Sequence, residues 1–175
     1  FNEILYLLSV VFTNMEAPVD FAYGVSIAFL EIISSDEILL SHTEQISITF
    51  CPLIVKPGEG AEAERVEFNN QCFLICTNMI HYCNEHQEST SSDKAYALLM
   101  AACLIQSCGE PALIFTQAAI EGIVAADEPI LFSASILVIT AAFVCNPQDT
   151  VSKLEPPVIE HIATSINEDN LPTYK

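Results

Sequence analysis

Five cysteine and histidine residues near the middle of the chain are its nearest approach to a metal site: Cys72, Cys76, His81, Cys83 and His86. Zinc prefers thiolate and imidazole ligands, and four of them could hold the ion tetrahedrally. Cys72 and Cys76 are one helical turn apart, and Cys83 falls on the same face. However, the ligands that follow Cys72 and Cys76 do not form a second pair with the spacing usual for zinc sites. A straight helix also cannot wrap four ligands round one ion. We therefore interpret these cysteines as a buried stripe of small apolar side chains.

The same segment contains a possible nucleophile, Cys83, with His81 or His86 as its base. A catalytic thiol needs electropositive surroundings that lower its pKa, whereas Glu85 and Glu88 would raise the pKa of Cys83. Paired acids occur at Glu62 and Glu64, at Asp127 and Glu128, and at Glu168 and Asp169. Their surface-like surroundings favour solvated or helix-capping roles, and no glycine-rich phosphate loop occurs. The sequence therefore predicts no enzyme, no cofactor and no bound metal.

Acidic residues dominate the charge of the 175-residue chain. There are 23 Asp and Glu residues against five Lys and Arg, which gives a net charge of −18. Such a chain cannot neutralise a run of phosphates, so we expect no nucleic-acid partner and no anionic membrane surface. The charge is compatible with basic protein partners.

A membrane protein is an alternative that the sequence disfavours. Residues 129–148 carry no charge and are long enough to span a bilayer. However, acidic residues flank both ends, and no Lys or Arg cluster sets an orientation. Ser133, Ser135 and Thr140 also interrupt this apolar stretch, and its neighbours are too short to span.

Helices separated by proline-marked junctions are the elements predicted to position these side chains. Pro111, Pro129 and Pro147 each fall in the first turn of a predicted helix, where the missing N–H costs nothing. Asn146 is predicted to cap the helix that starts at Pro147, with Asp149 at its third position. Because short junctions make consecutive helices antiparallel neighbours, the pattern indicates stacked helical hairpins. Such stacks are typical of binding scaffolds.

We predict an all-α fold, an α-solenoid of antiparallel helix pairs similar to HEAT and armadillo superhelices. Residues 1–175 are predicted to be a single fragment of a larger solenoid, with pairs at residues 1–34, 37–86, 93–126 and 129–168. The first helix of the second pair is predicted over residues 37–55. Residues 46–50 alternate like a strand, but helix is favoured because no second alternating run lies nearby. Pro156 and Pro157 are predicted to split the last helix.

The helix predicted at residues 111–126 has two distinct faces. One is a stripe of small residues that would let another helix approach closely: Ala118, Gly122 and Ala126. The other is an arc of about 140° that is predicted to face solvent or a partner, and it contains Thr116, Gln117 and Glu121.

The segment from Ser92 to Glu155 resembles the C-terminal HEAT region of the importin-beta superfamily, nearest to the importin-seven/eight branch. The resemblance rests on the order and spacing of LLMAACLIQSCG, PALIFTQAAIEGIV and FSASILVITAAFVCNPQDTVSKLE. It implies a superhelix that carries protein cargo through the nuclear pore, with nucleoporins as partners. It also implies release of cargo by the Ran GTPase, bound by other parts of a full-length receptor, and a cytoplasmic and nuclear location. The chain departs from the family in its very low content of basic residues.

Four acidic residues on second helices of the predicted pairs are the candidate contacts with basic cargo: Glu31, Glu121, Glu160 and Glu168. This expectation rests on helix order alone, because the resemblance supplies no contact motif. The alternative is a HEAT or armadillo scaffold, or a regulatory subunit, of another protein complex.

Overall fold

A computed structural model describes residues 1–14, 19–34, 37–56, 61–125 and 128–165. Within these ranges every regular element is a helix, so the predicted all-α class is confirmed. The helices are α1 (Asn2–Asn14), α2 (Val19–Ser34), α3 (Glu37–Leu40), α4 (Thr43–Ile54), α5 (Glu62–Glu85), α6 (Ser91–Cys108), a 3-10 helix (Glu110–Ile114), α7 (Phe115–Ala125), α8 (Pro129–Cys145), α9 (Pro147–Lys153) and α10 (Pro156–Ser165). None of them is long and apolar enough to cross a bilayer.

Capping side chains set the starts of α6 and α9. The Asp93 N–H donates a hydrogen bond to Thr90 Oγ1 (3.2 Å), and the Thr90 N–H donates to Asp93 Oδ2 (2.9 Å). This reciprocal pair satisfies two backbone donors that the helix itself leaves unpaired. At α9 the Asp149 N–H donates to Asn146 Oδ1 (3.1 Å), and Pro147 occupies the first turn. The cap predicted at Asn146 is confirmed.

Some predicted boundaries differ from the structure. The single helix expected over residues 37–55 is divided into α3 and α4, because the His42 N–H donates to the Leu39 carbonyl oxygen (3.1 Å) and tightens the chain into a turn. The helix expected from residue 111 starts as a 3-10 helix and becomes α-helical at Phe115. Two other expectations are confirmed: residues 46–50 lie within α4, and the last helix is divided into α9 and α10 before Pro156.

Polar contacts between α4 and α6 show that these helices run parallel. Near both N-termini, Thr43 Oγ1 donates to Asp93 Oδ1 (3.1 Å). One turn further along, Ser47 Oγ donates to the Tyr96 carbonyl oxygen (2.8 Å). The Tyr96 hydroxyl in turn donates to Glu44 Oε1 (3.0 Å). Because Thr43 and Ser47 are both fully buried, these bonds fix the register of α4 on α6 at a point where unpaired hydroxyls would be costly.

On its other side, α6 packs against α8, which also runs parallel to it. Near the C-termini, a Cβ atom on Gly109 would lie 3.9 Å from Cys145 Sγ. Near the N-termini, Leu98 of α6 and Leu131 of α8 both approach Gly122 of α7. The helices α4, α6 and α8 therefore form one row, and α1 packs against α4 at its end.

A second set of helices lies against this row. Asn69 Nδ2 of α5 donates to Ser107 Oγ near the end of α6 (3.2 Å), whereas Cys76 Sγ donates to the Ala97 carbonyl oxygen near its start (3.5 Å). Since the order of contacts is reversed, α5 runs antiparallel to α6. The helix α2 packs on α5, and α7 packs on α8 and α10.

Aromatic side chains fill the interior at the junction of the two sets. Tyr23 of α2, Phe50 of α4 and Phe68 of α5 are fully buried. The Phe68 ring lies 5.2 Å from the Tyr23 ring and 6.2 Å from the Phe50 ring, measured between centroids. Three helices thus share one apolar cluster, which accounts for part of the 51% hydrophobic content.

Candidate functional site

Three of the four predicted contact acids lie on the described surface. Glu31 on α2, Glu121 on α7 and Glu160 on α10 are all exposed. Because α7 and α10 pack on each other, Glu121 and Glu160 lie on neighbouring helices, whereas α2 packs on α3 and α5. Glu168 lies outside the described residues. The structure therefore brings two of the candidate helices together and places the third elsewhere.

Glu121 lies at the edge of a cleft between α5 and α7. The Phe73 ring of α5 and the Phe115 ring of α7 are 5.0 Å apart between centroids, so the two helices meet there. Towards the C-termini of both helices a cleft of about 90 Å³ separates them. Leu98 of α6, Lys94 and Glu121 all line it. The cleft thus combines apolar side chains with one cationic and one anionic side chain.

One prediction about the surface of α7 is wrong. Thr116 was expected in the exposed arc, but its side chain is fully buried. The other two members of that arc, Gln117 and Glu121, are exposed, and Gln117 Nε2 donates to Glu121 Oε1 (3.0 Å). Thr116 lies at one edge of the predicted arc and next to buried Phe115, so packing covers that edge. The helical periodicity of the sequence does not determine how far round the helix the buried face extends.

The close approach predicted for the small-residue stripe is found at Gly122. A Cβ atom there would lie 2.5 Å from Ser135 Oγ of α8 and 3.3 Å from Leu98 Cδ1 of α6. Ala118 lines the cleft beside it. Ala126 lies outside the described residues.

Much of the positive charge in the chain is already paired locally. Arg65 Nη2 lies 2.6 Å from Glu62 Oε1 on α5, and Lys153 Nζ lies 2.7 Å from Asp149 Oδ2 on α9. The hydrogen bond from Arg65 lowers the pKa of the Glu62 carboxyl. These are two of the five Lys and Arg side chains of the chain, against 23 Asp and Glu side chains.

The residues considered for zinc do not converge. Cys72, Cys76 and Cys83 are buried in α5, as predicted, and burial raises the pKa of Cys83 to about 11. His81 instead points outward and pairs with Glu85 (3.2 Å). Across the described ranges no group of three or more His, Cys, Asp and Glu side chains could hold a metal ion.

Sequence reasoning missed a pair of cysteines on different helices. Cys51 on α4 and Cys103 on α6 are joined by a side-chain hydrogen bond. The hydrogen bond from Cys51 lowers the pKa of Cys103, although burial opposes that effect. The same hydrogen bond and burial raise the pKa of Cys51. No local motif links residues this far apart in sequence, and only the parallel packing of α4 on α6 brings them together.

Comparisons with models of known protein families, with curated proteins and with solved structures found no match to this chain.

Proposed function

We propose that this chain is a protein-binding scaffold built as an α-solenoid, whose acidic surface binds basic segments of other proteins. The observation that carries the proposal is the relation between its helices. The helices α4, α6 and α8 stack in parallel, while α5 is antiparallel to α6. Stacked, antiparallel helix pairs have this arrangement, because each pair repeats the orientation of the one before it.

The direction of α7 supports the same proposal. The Phe73 ring of α5 lies beside the Phe115 ring of α7, and further along both helices Ile80 and Gly122 line the same cleft. Because the residues that face each other advance in the same direction along both helices, α5 and α7 run parallel, as the second members of successive pairs would. The helix α6 would then be the first member of the pair that α7 completes.

The charge of the chain supports a basic partner. Fields of one sign attract oppositely charged partners over distances of about 10 Å at ordinary ionic strength. Exposed Glu31, Glu121 and Glu160, together with Glu168, are the proposed contacts. Charged contacts of this type set association rate and specificity, while exposed apolar side chains such as Ile32 and Val124 add buried area.

The resemblance to the importin-beta superfamily supports a finer proposal. In this proposal the chain is part of a nuclear transport receptor, present in cytoplasm and nucleus, that carries basic protein cargo past nucleoporins. The Ran GTPase would bind other parts of the receptor and release the cargo. Import of a fluorescent basic protein into permeabilised cells by the full-length gene product, dependent on Ran and GTP, is the test. If the basic protein binds but is not imported in a Ran-dependent way, the transport role is refuted, whereas the scaffold role is retained.

Charge reversal tests the contact residues directly. We expect Glu→Lys substitution at Glu31, Glu121, Glu160 and Glu168 together to weaken binding of a fluorescent peptide rich in lysine and arginine. The matched control reverses four other acids, which gives the same net charge: Glu3, Glu64, Glu128 and Glu155, all exposed. Equal loss in both variants would mean that only net charge matters. Unchanged binding in the first variant would contradict the proposed contacts.

A further inference from the structure

We infer that the cleft between α5 and α7 binds one aliphatic side chain, such as leucine or isoleucine, from the basic segment that the acidic surface attracts. This side chain belongs to the same basic partner, so its site rests on the proposed function and deepens it. The cleft adds a selectivity that charge alone does not supply. A basic segment that carries such a side chain should bind more tightly than one that does not.

Small residues on α7 leave the space of this cleft open. At one end, the Phe73 and Phe115 rings fill the contact between α5 and α7, with 5.0 Å between their centroids. Further along α7 the cleft is lined by Ala118, Gly122 and Ala125, whose side chains are a methyl group or a hydrogen atom. A volume of about 90 Å³ therefore stays unfilled between the two helices.

The inner part of the cleft is apolar. Leu98 of α6 and Leu131 of α8 line it and are each 3% exposed, and Ala97 beside Leu98 is fully buried. Water in an apolar space finds few hydrogen-bond partners, so an apolar group that displaces it gains affinity. The cleft is therefore suited to a hydrocarbon group from outside the chain.

The volume of the cleft selects the size of that group. An apolar cavity of about 150 Å³ holds a benzene ring. The cleft, at about 90 Å³, is smaller. It therefore suits the branched chain of leucine or isoleucine better than the ring of phenylalanine or tryptophan.

Charged side chains at the cleft identify the partner as a basic peptide segment. Glu121 is exposed, and its Oε1 accepts a hydrogen bond from Gln117 (3.0 Å), which leaves acceptor capacity for a lysine or arginine. Lys94 is half-buried and belongs to none of the ion pairs among the described residues. Its ammonium group can donate to a main-chain carbonyl oxygen of the bound segment. An anionic ligand such as a fatty acid is disfavoured, because Glu121 and the net charge of −18 oppose it.

The test measures the affinity of the full chain for three fluorescent peptides. They share one lysine- and arginine-rich sequence and differ at a single central position, which is leucine, alanine or phenylalanine. The leucine peptide should bind about tenfold more tightly than the alanine peptide, because the cleft partly buries the additional carbon atoms. The phenylalanine peptide should bind more weakly than the leucine peptide. Since salt screens charge attraction, added salt should weaken all three while the leucine-to-alanine ratio stays the same.

Filling the cleft from within locates the site. In Ala118→Leu, the leucine and alanine peptides should bind equally. The matched control is Ala163→Leu, at an exposed position of α10, which should retain the preference for leucine. If circular dichroism shows that Ala118→Leu does not fold, Ala125→Leu replaces it, because Ala125 lines the same cleft and is exposed.

The results distinguish failure at the cleft from failure of the proposed function. Equal binding of the leucine and alanine peptides to the unsubstituted chain would show that the cleft takes no side chain, although basic segments still bind. A preference for leucine that survives filling of the cleft, or tighter binding of the phenylalanine peptide, would likewise overturn the inference alone. Absence of binding by all three peptides at low salt would overturn the proposed function and the inference together.

Discussion

At Gly122 the helix α7 lies very close to α8 and α6. Gly122→Ala would place a Cβ atom 2.5 Å from Ser135 Oγ, closer than real contacts allow. We expect the substitution to lower the free energy of unfolding by about 1–3 kcal/mol, because α7 and α8 must move apart. Urea denaturation measures the change.

Gly24 and Ser135 supply the controls for that substitution. A Cβ atom on Gly24 of α2 would have no other atom within 4 Å, so Gly24→Ala should stabilise the protein by ~0.5–1 kcal/mol. Adding Ser135→Ala to Gly122→Ala removes the atom that is too close and should recover part of the loss. Equal effects of the two glycine substitutions would show that close packing at Gly122 does not matter.

Cys103 and Cys108 allow a comparison of thiol reactivity within one helix. Both are half-buried on α6. The hydrogen bond from Cys51 lowers the pKa of Cys103, whereas burial raises the pKa of Cys108. Since the thiolate is the reactive form, Cys103 should react with iodoacetamide at a lower pH than Cys108.

Labelling at several pH values, followed by mass spectrometry of the α6 peptide, measures both rates in one sample. In Cys51→Ala, which removes the hydrogen-bond donor, the pH at which Cys103 reacts should rise. Faster labelling of Cys108 than of Cys103 near neutral pH would contradict this account of the pair.

At the scale of single helices, the capping box of α6 is a local signal with a measurable effect. Thr90→Ala removes the acceptor for the Asp93 N–H. We expect a loss of about 1 kcal/mol in the free energy of unfolding, the usual effect of losing such a cap. Thr164→Ala is the control, because this exposed hydroxyl donates to the Glu160 carbonyl oxygen of its own helix, and the change should stay within ~0.5 kcal/mol. If Thr90→Ala left the free energy of unfolding unchanged, neighbouring helices rather than the cap would fix the start of α6.

Helix starts and stops were largely predictable because their causes are local. The Asn146 cap, the proline-marked starts at Pro129 and Pro147, and the break before Pro156 are each set by residues within one turn. The turn at His42 was missed because nothing in residues 37–55 resembles a strong helix stop. Thr43, which starts α4, contacts Asp93, which lies far along the chain. Such a contact leaves no local pattern.

At the scale of the molecule, the sequence supports an all-helical fold and an acidic surface, because composition and periodicity determine both. In contrast, composition and periodicity do not determine which helices pack together. The parallel register of α4 and α6 depends on Thr43, Ser47 and their partners. This register could not be inferred from spacing, since the partners are about fifty residues apart and share no motif. The four contact acids were chosen from helix order alone, and helix order does not show which surfaces face the same way.

If the acidic helix stack binds basic protein segments through charge, this binding must weaken as the salt concentration rises. Affinity for the fluorescent lysine- and arginine-rich peptide should fall steadily as sodium chloride increases, because screening shortens the range of charge attraction to about 3 Å at 1 M salt. The variant reversed at Glu31, Glu121, Glu160 and Glu168 should bind more weakly than the control variant at every salt concentration. Binding that is absent at low salt, or that is equal in both variants and insensitive to salt, would contradict the claim.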